Sequence, residues 1–312
     1  MMIQPERLRK GDAVAFLTPA TEIRPEYVRG AEEFFRRRGY DARVYPHAYG
    51  PRDGSFAANL DGRLTDLEEA ILDPDVKLIF CNRGGYGCQQ LLAARPAERW
   101  IRLVRENPKW ILGFSDISAL HALWNTAGVM SIHASMAKEF TEHPDGAPVA
   151  ETMAILVEGA HKAPELIGEP CEYNIHGEAE GELVGGNLAV LDGLAATPFD
   201  VLSEDFLRGK ILFIEDVGEK IYKVDRMLTR LAMTGALHAV AGIAIGIFTD
   251  YTPDRNYRTM EEMIADRLRL LGVRCPVAYR LPIGHIDAQL PVVCGQKYSL
   301  LSASGAKLKV KS

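Results

Sequence analysis

Ser115 stands at the corner of the segment KWILGFSDISALHAL, Lys109 to Leu123, whose first half is an apolar run of strand type and whose second half has helical spacing. A serine at such a corner has two uses. It can cap the helix, with Asp116 placed at the positive end of the helix dipole. Alternatively, Gly113-Phe114-Ser115-Asp116 can form a sharp strand-to-helix turn that exposes the hydroxyl and aims the next backbone N–H at a developing oxyanion. The turn lacks the second glycine of the G-x-S-x-G elbow, so the local sequence leaves both uses open. Attack by a hydroxyl also needs a base, usually a histidine oriented by a third group. His285, in the Pro- and Gly-punctuated loop RLPIGHIDAQLP, is placed as a loop residue able to face a ligand. His121 and His238 fall at helical positions that packing or dipole effects explain; His47, His143 and His161 read as surface residues, and His176 sits in a strand-turn region. Glu215 ends the apolar run of GKILFIEDVGE, where open α/β sheets bind ligands, and needs a histidine or arginine partner. Its neighbour Asp216 and a purely structural ion pair stay open as alternatives.

Two glycine-rich loops add backbone amides. In CNRGGYGCQQ, Arg83, Gly84, Gly85, Tyr86 and Gly87 lie between a strand and a helix, where amides can approach an anion; a tight turn needing positive φ is the other reading. In GELVGGNLAVL, Asn187 is a natural N-cap after Gly185 and Gly186. Neither loop is a Walker A or a G-x-G-x-x-G motif. The sequence has no HExxH, no paired CxxC and no carboxylate cluster with ligand spacing, so the expectation is no metal and no cofactor.

These residues need a frame to position them. Apolar runs of strand length alternate with segments of helical period, the pattern of an α/β protein with largely parallel strands. AVAFLTP, ARVYP, VKLIFCN and KWILGF read as strands of the first half, separated by helices that include Glu26–Arg38, with Tyr27, Ala31, Phe34 and Phe35 on one side. The pattern loosens near Lys138 to Pro164, which predicts an N-terminal parallel-sheet α/β domain over 1–140, a connecting segment over 141–164 and a C-terminal mixed α/β domain over 165–312. A cleft between the two domains is the expected place for a small-molecule site.

At 312 residues, with 47% hydrophobic and 25% charged residues, the chain resembles ordinary globular proteins. A net charge of -6 with scattered basic residues argues against nucleic-acid binding. The five cysteines, Cys81, Cys88, Cys171, Cys275 and Cys294, suit reduced thiols. The N-terminus lacks a signal-peptide apolar region and the longest apolar run, Ala239 to Phe248, is too short to span a bilayer, which predicts a cytoplasmic protein with no membrane partner.

Taken together, RGGYG, GFSDISAL, GELVGGNLAVL, ILFIEDVGEKIYKVDRMLTRL and LPIGH resemble, in order and separation, the serine peptidase family of muropeptide LD-carboxypeptidases and microcin C immunity peptidases. The resemblance implies a Ser115–Glu215–His285 triad joining the two domains. It further implies an oxyanion hole from the N–H of Asp116 with one from Gly84 or Gly85, and substrate contacts from Arg83, Tyr86 and Asn187. The implied activity is removal of the terminal D-alanine that follows the L centre of diaminopimelate in a murein tetrapeptide, during cytoplasmic cell-wall recycling, by a homodimer. The alternatives are a microcin-type peptidase acting on peptidyl-aminoacyl nucleotides and a non-catalytic ligand-binding α/β protein. One departure stands out: where the family commonly has His-Gly-Pro after the serine helix, this chain has His133-Ala134-Ser135, which bears on loop shape and substrate preference.

Overall fold

The computed structural model describes residues 2–311. The chain up to Ala163, with Leu290–Gly295, forms one compact unit; Pro164–Gln289 and the chain from Gln296 onward form a second. In the first, strands and helices alternate as β1 (Ala13–Leu17), α1 (Pro25–Arg37), β2 (Asp41–Val44), α2 (Leu60–Leu72), β3 (Val76–Cys81), α3 (Cys88–Ala93), α4 (Ala97–Glu106), β4 (Trp110–Gly113), α5 (Ser118–Thr126) and β5 (Ser131–His133), followed by α6 (Ala137–Glu142) and α7 (Ala147–Glu158). The second contains β6 (Leu166–Gly168), β7 (Gly177–Asn187), α8 (Leu188–Asp192), α9 (Glu204–Leu207), β8 (Ile211–Val217), α10 (Ile221–Met233), α11 (Ala236–Ala239), β9 (Gly242–Thr249), α12 (Met260–Leu270) and β10 (Val277–Ala278). The short strand β11 (Val292–Cys294) belongs to the first unit, and β12 (Lys297–Ser302) with β13 (Ala306–Val310) completes the second.

The first sheet has the order β11-β5-β4-β3-β1-β2. Its strands are parallel except β11, which pairs antiparallel with β5. Every residue of β1 and β4 is buried, which is why these strands are continuous apolar runs rather than alternating ones. Helix α1 buries Val28, Ala31, Phe34 and Phe35 against this sheet; Val28 takes the place expected for Tyr27, which is only half-buried. Phe35 meets Phe16, Phe80 and Phe140 with ring centroids 5.6 to 5.8 Å apart. Truncating a fully buried ring such as Phe80 to alanine in a core of this kind costs about 3–5 kcal/mol. The parallel order places the loops after β1, β3 and β4 at one edge, outside the carboxyl ends of the strands, where such sheets bind ligands.

The second sheet has the order β10-β9-β8-β7-β12-β13-β6. Strands β7 to β10 pair in parallel, while β12, β13 and β6 add antiparallel neighbours, so the sheet is mixed. The segment 141–164, read from sequence as a connector, contains α7, whose Val149, Thr152, Ile155 and Leu156 are buried within the first unit. Helix α4, with Trp100, Ile101, Leu103 and Val104 at helical spacing among charged residues, buries Trp100 and Val104.

Candidate active site

Strand β4 delivers the chain to Ser115 through Gly113, whose φ of 157° leaves no room for a side chain because a Cβ there would lie 2.8 Å from Ile117 Cγ1. Ser115 itself has φ 64°, a left-handed conformation that an L residue with a Cβ adopts at a cost of about 1–3 kcal/mol. A capping serine has extended backbone at negative φ. The chain instead makes a single 3₁₀ turn over Ser115–Ile117 before α5 begins, and no side chain caps either element. Among the described residues no hydrogen bond engages the Ser115 hydroxyl, which is half-buried. Strain at a polar, unengaged side chain at the mouth of a parallel sheet is what a nucleophile's turn presents.

Asp116 faces elsewhere. Its buried carboxylate accepts the N–H of Cys88, the first residue of α3, at 2.8 Å. Burial pushes this carboxyl above its usual range, against the lowering effect of the bonds from Cys88 and of the Arg63 charge. The bond ties the end of the loop Arg83–Gly87 to the Ser115 turn. The other end of that loop touches the same turn, since a Cβ on Gly84 would stand 3.0 Å from Asp116 N, Phe114 O and Ser115 Cβ. Gly85 and Gly87 have φ of 101° and 132°, so the positive-φ requirement is real; a Cβ on Gly85 would meet the Thr21 side chain, and one on Gly87 would fall 2.7 Å from Arg63 Nη1.

The second unit builds a histidine–carboxylate pair. Glu215 is fully buried at the end of β8, and its Oε2 lies 2.8 Å from His285 Nδ1. The ladder between β8 and β9 slips between Ile214 and Asp216, a bulge that leaves Glu215 out of the pairing with β9. Glycines make the space. A Cβ at Gly284, which has φ 129°, would fall 2.8 Å from Ile247 O and 3.2 Å from Glu215 Oε2, and one at Gly246 would fall 3.2 Å from Glu215 Cβ. A carboxylate accepting at Nδ1 fixes the imidazole in the tautomer whose Nε2 carries the lone pair.

The bulge also separates Glu215 from Asp216. Asp216 accepts from Asn187 Nδ2 at 2.9 Å, Ala189 N at 2.9 Å and Val217 N at 2.8 Å, and burial raises its pKa to about 6. Asn187 is the N-cap of α8, taking the Val190 N–H at 3.1 Å. Arg83 donates to Glu22 O at 2.6 Å with its side chain exposed, and Tyr86, also exposed, leans on Phe56 at 5.3 Å. His121 is buried and donates from Nε2 to Gly113 O at 2.9 Å, supporting the serine turn from behind, while His133 packs against Phe114 and His121. His47 pairs with Asp66 at 2.8 Å at a distance in sequence from all of these. Sequence reasoning missed Arg63, which is buried beneath the loop Arg83–Gly87; the only signal was an arginine on the apolar side of α2, between Gly62 and Leu64.

Comparison with known proteins follows the same division. A profile of the LD-carboxypeptidase N-terminal domain matches residues 14–134, and one of the LD-carboxypeptidase C-terminal domain matches residues 180–300. A Synechocystis protein named as a carboxypeptidase is 36% identical over 97% of this chain and 96% of its own length. The murein tetrapeptide carboxypeptidase of Pseudomonas aeruginosa is 31% identical over 87% of each chain. Among solved structures, the muramoyltetrapeptide carboxypeptidase from Oxalobacter formigenes superposes with a TM-score of 0.79 at 25% identity, covering 96% of this chain and 99% of that one.

Proposed function

The chain belongs to the LD-carboxypeptidase family, and on that premise we propose that it is a serine peptidase that removes the terminal D-alanine of murein tetrapeptides, with Ser115 as nucleophile, His285 as general base and Glu215 as the group that orients it. The observation that carries this reading is the pair in the second unit: a fully buried carboxylate 2.8 Å from a histidine, in space opened by a bulge and two glycines. A carboxylate buried beside an imidazole holds the ring in one orientation and favours its charged form, which is the role this reading gives Glu215.

In the proposed reaction His285 Nε2 takes the hydroxyl proton as Ser115 Oγ bonds to the scissile carbonyl carbon. The N–H of Asp116 and one from Gly84 or Gly85 receive the oxyanion. Collapse breaks the C–N bond, with the imidazolium returning its proton to the leaving D-alanine amine. Water, deprotonated by the same imidazole, then hydrolyses the acyl ester. Glu215 offsets the positive charge that His285 carries in both halves of the cycle. Arg83, Tyr86 and Asn187 are assigned to substrate contact, Arg83 to a carboxylate that its guanidinium can bind bidentately. The same reading assigns the protein to cytoplasmic recycling of cell-wall peptides as a homodimer; among the described residues no helix is long and apolar enough to cross a membrane.

The test is incubation with L-Ala-γ-D-Glu-meso-diaminopimelate-D-Ala, following D-alanine by mass spectrometry, beside Ser115→Ala. One D-alanine should be released, and the variant should lose ~10⁴-fold or more in rate. An intact tetrapeptide with cleavage of a peptidyl-aminoacyl nucleotide would move the assignment to the microcin-type activity. If neither is cleaved and a serine-directed phosphonate leaves Ser115 unlabelled, the protein is a binder and the proposal fails.

A further inference from the structure

Arg63 is 2% exposed, on the inward side of α2, and among the described residues makes no ion pair; its guanidinium is spent on three backbone carbonyls and one side-chain amide oxygen. Nε donates to Ala58 O at 3.1 Å, Nη1 to Pro19 O at 2.9 Å and Gly87 O at 3.3 Å, and Nη2 to Gln90 Oε1 at 2.8 Å. The plane also lies over the Phe56 ring, 4.4 Å from its centroid. Burying a charge in this way is expensive unless every donor is used, and an apolar side chain would fill the same space at lower cost. What the arginine supplies that an apolar residue could not is a rigid fork that fixes carbonyls from three segments at once.

Two of those carbonyls control peptide planes beside Ser115. The Gly87–Cys88 peptide is held from both sides: its C=O by Arg63 Nη1 and its N–H by Asp116 Oδ2 at 2.8 Å. Pro19 O anchors the loop that carries Thr21. Thr21 N in turn donates to Gly84 O at 3.2 Å, and Thr21 Oγ1 accepts from Tyr86 N at 3.0 Å. Because a trans peptide directs its C=O and N–H to opposite sides, fixing Gly84 O turns the Gly85 N–H away from Thr21. The plane that carries one candidate oxyanion donor is therefore set through Arg63 and the Thr21 loop.

We propose that Arg63 is a positioning residue for the oxyanion-binding loop Gly84–Gly87, acting through the carbonyls of Pro19 and Gly87; the proposal rests on the serine-peptidase reading above. The loop amides must meet an oxyanion in hydrogen-bond geometry, and a displacement of about 1 Å can lower a rate by about 100-fold without disturbing substrate affinity to the same degree.

The experiment uses the full chain with Arg63→Met and Arg63→Lys. Arg95→Met serves as control, because Arg95 ties Glu68 of the same helix at 3.0 Å without touching the loop. For Arg63→Met, kcat on the tetrapeptide should fall about 100-fold while KM stays within about threefold. Amide exchange over residues 84–88 should rise, and labelling of Ser115 by the phosphonate should slow in parallel. Arg63→Lys keeps the charge but not the fork, and should recover about tenfold of the lost kcat. Arg95→Met should retain both kcat and loop protection. The proposal is overturned if Arg63→Met turns over like the parent, if loop exchange does not change, or if Arg95→Met lowers kcat as much. Should Arg63→Met fail to fold, Arg63→Lys decides, with a kcat equal to the parent overturning it. A parent protein inactive on the tetrapeptide and unlabelled by phosphonate is a different result, which defeats the peptidase reading itself.

Discussion

Replacing Glu215 with glutamine keeps the shape of the side chain and removes its charge, so it isolates what the carboxylate does for His285. The Oε2–Nδ1 distance of 2.8 Å puts the centres of charge about 4 Å apart once the imidazole is protonated. Glu215 is fully buried, and at the effective dielectric of about 20 that suits protein sites the attraction is about 4 kcal/mol. Only the protonated imidazole feels it, and in the proposed mechanism His285 takes up that proton along the reaction path. The whole amount therefore falls on kcat, and Glu215→Gln should lose about 10³-fold in turnover of the tetrapeptide with KM little changed. Stability should move the other way or not at all: a buried charge is gone while a neutral hydrogen bond to Nδ1 can persist, so the unfolding free energy from urea titration should stay within about 1 kcal/mol of the parent. A loss of less than tenfold in kcat in a normally folded variant would refute the charge argument. An equal fall in stability and activity would show that the pair is structural.

Three other perturbations test the local geometry. Ser115→Gly relieves the strain at φ 64° whereas Ser115→Ala keeps it, so the glycine variant should be more stable than the alanine variant by about 1 kcal/mol in calorimetry, both being inactive. Gly284→Ala should cost about 2 kcal/mol or more, and over tenfold in kcat, because its Cβ meets the Ile247 carbonyl and Glu215 at a φ of 129° next to His285. His121 is held down to about 3 by burial and then by the nearness of His133, below the 6.5 of an exposed histidine. Its folded pKa is depressed, so this contribution to stability is full above pH 6.5 and is lost as pH falls towards 3, amounting to about 2 kcal/mol by pH 5. Urea titrations at pH 7 and pH 5 should show that loss in the parent and a smaller one, by about that amount, in His121→Gln.

The α/β class and most strands of the first sheet were legible because a strand buried on both faces must be apolar throughout, as in VKLIFCN and KWILGF. Strand β11 was not: three residues, Val292 to Cys294, join a sheet whose other members end at His133, and no local pattern records a pairing over that separation. At the site, residue type marks Ser115, Glu215 and His285 as candidates and leaves Asp216 open beside Glu215; only the family resemblance prefers Glu215, and the bulge that sets Glu215 against His285 is nothing two adjacent acids can announce. The local sequence leaves capping and exposure of the Ser115 hydroxyl both open, because serine is common at helix starts; the sign of its φ decides against capping, and φ is not written in a side chain. Arg63 escaped notice for a related reason. Its partners are carbonyls, which every residue has, so nothing in the sequence marks Pro19 or Gly87 as its acceptors.

The distribution of strain has a thermodynamic logic. A left-handed serine costs about 1–3 kcal/mol, and a fully buried carboxylate costs several more in desolvation, against a net stability of about 5–15 kcal/mol for a typical domain. The serine turn leans on a core that holds the aromatic cluster around Phe35 and the fully buried Trp110 and Trp124. The carboxylate sits at the end of a strand whose preceding residues, Ile211 to Ile214, are all buried in the other unit's core. Each core thus offsets one unfavourable feature rather than both. A chain that placed the strained nucleophile and the buried charge in one core would commit a large share of a single domain's stability to its site, and small losses elsewhere in that core would then unfold it.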